Sequence, residues 1–374
     1  LKLPSNGKGS GLWQPAAVVL LISSMLIAFA NSPARAEIVT DLKGRAVSLT
    51  KPAERLVVDD GRMILALSFL SADPVALIAA WPHDIDRFGR ELYASYVQKF
   101  PQLDRLPKTT SNAQDMMVEQ IIAARPDLVV LSTYSHPAEA QLRQLDAAGI
   151  PVIFVDFVSD PLVNTDKSLE ILGKATGHTQ AAERIVELRA EHRAMIARRI
   201  GAAADHSKPA MLMETHASSD EPCCNSPGAA GIGKFMDLAG ARNIGDILHS
   251  KPFGQLNREY IVASKPQVYV ATGGEYMKNR GGLLIGPHFN AAETDASLQS
   301  LLQRPGFSTI PANDGKNAHG MSQQLFNSPL DILALELLAK WSHPALFSDI
   351  DVEATRQQLN ALSAVPLSGT YWTE

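Results

Sequence analysis

EQIIAARPDLVVLS, Glu119 to Ser132, and EYIVASKPQVYVAT, Glu259 to Thr272, carry one pattern twice. Each opens on a glutamate with apolar residues at helical spacing. Each then meets a basic residue and a proline, and ends in an apolar run closed by a hydroxyl. Proline disfavours the helical conformation of the residue before it, so a helix should stop at Pro126 and at Pro266. The run that follows is short, rich in Val and Leu, and bounded by turn signals. That suits a parallel strand covered on both faces. The repeat predicts two similar α/β lobes, and paired lobes with a cleft between them are an architecture for holding a ligand.

Outward from the first copy, strands are expected at Arg55–Val58, Ala76–Ala80, Leu128–Leu131 and Val152–Val155, with helical patterns between them. Strands alternating with helices imply a parallel sheet. Outward from the second copy, Met211–Glu214, Gln267–Ala271 and Ala318–Ser322 repeat the alternation. Asp160-Pro161 is a helix start, with an acidic N-cap and proline at the first helical position. Helical sequence then runs to about Ile200, with a break expected at Gly177. It fits either two ordinary surface helices or a rigid spine between the lobes. Ser328-Pro329-Leu330-Asp331 reads as a capping start for LDILALELLAKW, which is apolar on most faces and should be buried. A last helix is expected at about Asp351–Leu362. The expected fold class is α/β, with two doubly wound lobes on parallel sheets joined by a long spanning helix. Residues 37–159 would form the first lobe, 160–204 the link and 205–374 the second lobe.

Residues 1–36 read as a secretory leader. Lys2 and Lys8 precede an apolar stretch, Ala16–Ala30, and Ala34-Arg35-Ala36 is a small-residue cleavage site. The apolar stretch is short for a membrane span, and no cysteine follows it to carry a lipid. A periplasmic, unanchored and monomeric protein is expected. The whole chain carries −5, and losing Lys2, Lys8 and Arg35 would make it more acidic. Nucleic-acid binding normally needs a basic footprint and is disfavoured. The two cysteines, Cys223 and Cys224, are adjacent, so they cannot cross-link a secreted scaffold. A vicinal disulfide near the cleft is the favoured reading for them, with two free thiols or a soft-metal pair as alternatives.

Four blocks carry a family resemblance. They are RLVVDDGRMILALSFL, the first repeat copy with QLDAAGIPVIFVD after it, KSLEILGKATGHTQAAERIVE, and FMDLAGARNIGD with GQLNREYIVASKPQVYVATG. In order and spacing the chain resembles the periplasmic substrate-binding proteins that serve importers of iron–siderophore complexes, haem and vitamin B12. The resemblance implies a cleft between lobes, small closure on a stiff helix, and an ABC permease as partner. It also implies one exposed glutamate on each lobe that pairs with permease arginines, and the matching positions are Glu119 and Glu259. The family tends to have serine and proline after its first strand. Here the loop is Asp59-Asp60-Gly61-Arg62, a departure that bears on the ligand class and not on the fold.

In open α/β sheets ligands lie beyond the carboxyl ends of the strands. That rule nominates Arg62, Trp81, Arg90, Tyr134 and His136 in the first lobe. In the second it nominates His216, Cys223, Cys224, Tyr276 and Arg280; His83, Arg87 and Gln323–Asn327 also follow strand ends, with Arg90 preferred to Arg87. Arginine suits carboxylates or the negative oxygens of a ferric chelate, and aromatic rings pack on a chelate backbone or macrocycle. Trp81 fits a pocket wall or a lobe core equally. A ferric siderophore is the first ligand expected. Haem and cobalamin follow, with Tyr134, His136 or His216 as axial ligands. No HExxH pair, GxSxG elbow or metal-finger spacing is present, so a metal-dependent enzyme is the weaker reading; catalytic residues, resident metals and cofactors are not expected. GAAGIGK, Gly228–Lys234, matches most of a phosphate loop, but Phe235 stands where Ser or Thr is required.

Overall fold

The two copies of the repeat fold alike in a computed structural model that describes residues 37–109, 116–203, 207–220, 223–314 and 317–374. The leader reading falls on residues outside these. In the first copy the helix Val118–Ala123 ends before Pro126, and in the second the helix Arg258–Ser264 ends before Pro266. The basic residue before each proline takes the left-handed conformation, Arg125 at φ 49° and Lys265 at φ 47°. Each helix thus stops in one residue, and a buried strand follows.

The strands are β1 Glu37–Thr40, β2 Ala46–Leu49, β3 Leu56–Val58, β4 Ile78–Ala80, β5 Leu128–Ser132 and β6 Val152–Val155. After the link come β7 Ala210–Glu214, β8 Asn225–Pro227, β9 Arg242–Asn243, β10 Phe253–Gln255, β11 Val268–Gly273 and β12 Ala318–Ser322. β1 and β2 form an antiparallel hairpin, and β8 pairs antiparallel with β10. The first lobe's sheet has the order β4-β3-β5-β6 and the second's β12-β11-β7-β9, all parallel. In both, the first strand in sequence lies between the second and the third. The chain therefore reverses its winding between β3 and β5, and again between β7 and β11. β5 and β11 are the strands of the repeat. β3 to β7, β11 and most of β12 are buried, as expected for sheets covered on both faces.

The link is two helices, Pro161–Ala175 and Thr179–Ala202, broken at Gly177, whose φ of 75° favours glycine. The second has 24 residues, a length of about 36 Å. Arg189, at its middle, is 1% exposed. It donates to Asp166 on the preceding helix (2.6 Å), to the Pro329 carbonyl (2.6 Å) and to Asp331, the first residue of the helix Asp331–Ser342. That helix is buried nearly throughout. It starts at Asp331, one residue after the Leu330 that opens the expected helix; Ser328 is extended and its hydroxyl accepts from the Leu330 N–H. The chain end crosses back. Ala364 N–H bonds the Ser68 carbonyl of the first lobe, while Ser322 N–H of β12 bonds the Tyr371 carbonyl.

Candidate functional site

The two winding reversals face each other across a cavity of about 460 Å³. Its walls include Arg62, Leu65, Asp86, Arg87 and Phe88 from the first lobe. From the second come His216, Tyr276, Gln323, Gln324 and Asn327. Every one of these follows the carboxyl end of a strand, which is where an open α/β sheet holds a ligand.

The loop after β3 builds the first wall. Asp59, buried, accepts from the Ser132 N–H and hydroxyl and from the Ser135 hydroxyl, so it pins the end of β3 to the end of β5. Burial pushes its carboxyl up to about 6. Asp60 holds Arg62 by two parallel bonds, Nε to Oδ1 at 2.9 Å and Nη2 to Oδ2 at 2.6 Å. Its Oδ2 also accepts from the Tyr134 hydroxyl and lies 3.6 Å from Arg87 Nη1. Burial alone would raise Asp60, but the Arg62 charge and bonds hold it down at about 2. The pair fixes the guanidinium in place, and a fixed fork recognises carboxylate-like oxygens with less ordering cost. Gly61 fits because its N–H is bonded to Asp84 Oδ1; a Cβ there would meet that oxygen at 2.7 Å.

Asp84 lies beneath this loop with its other oxygen buried and unpartnered. Burial, and then the charge of Asp60, push its carboxyl up to about 7. It is thus protonated below about 7 and charged above. The folded form holds more protons than the unfolded chain between about 4 and 7, so this group makes stability fall as pH rises through that window. Above it, the new negative charge beside Arg62 should also weaken an anionic ligand. We expect affinity to fall as pH rises through 7 in a calorimetric titration, and Asp84→Asn to flatten the profile; an unchanged profile would remove Asp84 from control of the site.

The second wall is softer. His216, at φ 53°, follows β7, and its Nδ1 lies 2.7 Å from the Tyr276 hydroxyl. Burial, then the nearby Arg280 charge, lower the proton affinity of His216, which favours neutral imidazole. Thr272, the last hydroxyl of the repeat, accepts from the His216 N–H and donates to Gln323 (2.5 Å). Behind the cavity the lobes nearly touch. A Cβ at Gly89 (φ 96°) would sit 1.5 Å from Gln324 Nε2, so only glycine allows this approach.

The structure brings Arg62, His216 and Tyr276 into the cavity wall, while Tyr134 stands behind Arg62 with its hydroxyl on Asp60. It corrects other expectations. Trp81 is 0% exposed, inside the first lobe, with its indole N–H on the Leu103 carbonyl and His83 stacked on it; it belongs to the core. Arg90 is exposed and paired with Asp86 at 2.6 Å, while Arg87 is the arginine in the wall. Cys223 and Cys224 are bonded to each other, and Cys224 is buried in the second lobe's core. They lie beside the buried Arg304–Glu214 pair rather than in the cavity wall. His136 is exposed on the loop after β5, and Arg280 is exposed and paired with Asp220 at 2.6 Å. Glu119 and Glu259 are exposed in the first turns of the two matching helices. Asp60 is an addition, while Arg87, Gln324 and Asn327 stand in loops that the sequence already placed beyond strand ends. Their signal is the carboxyl-end rule applied to the loops after β3, β4 and β12.

A cleft between two lobes of equal topology, with polar groups converging from both, defines a ligand-binding protein. The pattern described as periplasmic binding protein matches residues 67–319, and the chain belongs to that family. It is a family of binding proteins rather than enzymes. A vitamin B12-binding protein of Yersinia pestis (strain Pestoides F) is 27% identical over 182 residues, which are 48% of this chain and 60% of that relative. The matched region thus spans about three-fifths of the curated relative's length. In fold, the chain is similar to a TroA-like periplasmic binding protein, FepB, from Veillonella parvula. The TM-score is 0.80 at 24% identity, covering 90% of this chain and 99% of that one. It is also similar to a periplasmic heme-binding protein from Pseudomonas aeruginosa, with a TM-score of 0.53 at 19% identity, over 78% and 94% of the two chains. Among the described residues no helix is long and apolar enough to cross a membrane.

Proposed function

We propose that this chain captures an anionic metal chelate, a ferric siderophore, in the cleft and hands it to an ABC permease in the inner membrane. The observation that carries the ligand class is the pair of first-wall arginines. Arg62 is fixed by Asp60, and Arg87 is half exposed beside it, opposite the His216–Tyr276 pair. Chelate oxygens would meet the guanidinia, and the chelate's apolar parts would lie on Leu65, Phe88 and the Tyr276 ring. The exposed Glu119 and Glu259 would present the two lobes to permease arginines. The second reading is a corrinoid or haem. It is supported by the neutral His216 beside Tyr276 as axial donors, and by what the Yersinia and Pseudomonas relatives bind.

Thermal unfolding with ferric siderophores, haemin and cobalamin tests the proposal. A true ligand at a hundred times its dissociation constant stabilises by about 2.7 kcal/mol. We expect a ferric siderophore to do so. Arg87→Ala, at a partly exposed position, should weaken it about tenfold or more, as loss of a charged hydrogen bond predicts. Stabilisation by haemin or cobalamin alone would replace the siderophore reading.

A further inference from the structure

Glu91, Glu275 and His288 converge beside the cleft where the lobes meet. Glu91 comes from the first-lobe helix Arg90–Lys99. Glu275 opens the turn after β11, and His288 follows the turn at Gly286. One donor atom of each side chain lies within 4.8 Å of the other two. His288 Nδ1 is 3.8 Å from Glu275 Oε2. Glu91 is only 5% exposed, and its Oε1 has no hydrogen-bond partner. An unpartnered buried carboxylate oxygen is costly, and a second carboxylate at this range adds repulsion. The backbone is shaped around that oxygen. Gly286 (φ 139°) leaves the space, since a Cβ there would come within 3.3 Å of Glu91 Oε1. Its N–H is tied to the Thr370 carbonyl at 2.8 Å, which holds the turn against the chain end.

We propose that Glu91, Glu275 and His288 form a site for a divalent transition-metal ion that bridges the two lobes. An imidazole nitrogen with two carboxylates is a donor set for first-row ions such as Zn²⁺, Co²⁺ or Mn²⁺. Mg²⁺ and Ca²⁺ prefer oxygen alone and fit less well. Three protein donors leave coordination positions for water, and His288, at 61% side-chain exposure, keeps the site open to solvent. The ion neutralises the carboxylate pair and joins Glu91 of one lobe to Glu275 and His288 of the other. Glu275 immediately precedes Tyr276 of the cavity wall, so the ion would also stiffen that wall. The site stands whatever the cavity carries.

The test uses the full chain stripped by a chelator and titrated with Co²⁺, followed by its visible d–d bands, and with Zn²⁺ by calorimetry. The wild type should bind one ion more than His288→Ala, whose exposed position leaves the fold intact. Glu91→Gln should weaken that ion by at least about 10–100-fold, the loss seen when even an outer-shell partner of a metal is removed. Glu275→Gln gives the same reading should Glu91→Gln fail to fold. Equal stoichiometry and affinity in wild type and variants would overturn the site. So would loss in His288→Ala with Glu91→Gln unchanged, since that marks an adventitious surface ion held by the second lobe alone.

Discussion

Alanine at both Glu119 and Glu259 should abolish ligand uptake by cells while leaving ligand affinity unchanged. Both glutamates stand exposed in the first turn of a short helix, and the two helices hold equivalent places before β5 and β11. Neither lines the cavity. If each meets a permease arginine, truncation leaves that arginine desolvated and unpaired, at roughly 2–5 kcal/mol per contact. Two such losses exceed what a transient complex tolerates. Each glutamate also favours its helix N-terminus by only about 0.3–1 kcal/mol, so the folded protein should persist. Measured uptake of labelled ligand decides it, with affinity of the purified variant as control. Normal uptake by the double variant would remove both residues from docking.

Arg189→Ala should be the most damaging single change to stability, costing about 3–5 kcal/mol, because breaking a buried pair leaves an uncompensated charge. Asp331 is buried with Arg189, and Asp166 loses one of its two arginine partners. Burial pushes the Asp331 carboxyl up to about 6 even with Arg189 present, so its charge depends on that partner. The pair Arg189→Met with Asp331→Asn should recover much of the loss, since no charge then remains unpaired there. Urea unfolding of the three variants gives the numbers. A loss under 1 kcal/mol in Arg189→Ala would show that the link does not depend on this network.

The repeat was legible because each copy is local: helix, basic residue, proline and buried strand lie within fourteen residues. The two parallel-sheet lobes follow from it, though the strand order within each does not, and Arg62, His216 and Tyr276 were reachable by the carboxyl-end rule. What failed depends on contacts far apart in sequence. Trp81 after a strand reads equally as wall or core, and Leu103, 22 residues away, decides it. Arg87 and Arg90 look alike, yet Gly89 (φ 96°) separates their two helices and leaves only Arg87 in the wall. The cysteine pair is positioned by β8 and β10, three-residue strands with no apolar run to announce them. β9, two residues long, is equally silent.

The chain end described above also sets an order on assembly. Val365 and Leu367 are buried against Leu65, Ser68 and Leu92, residues made nearly three hundred positions earlier. Tyr371 and Thr373 bond to β12 of the other half. A chain emerging amino end first therefore has its first sheet complete while the strip around Leu65 and Leu92 is still bare. Segment 364–373 touches both halves, so it covers the two together. This segment thus stitches the two lobes to each other, and its loss should loosen both.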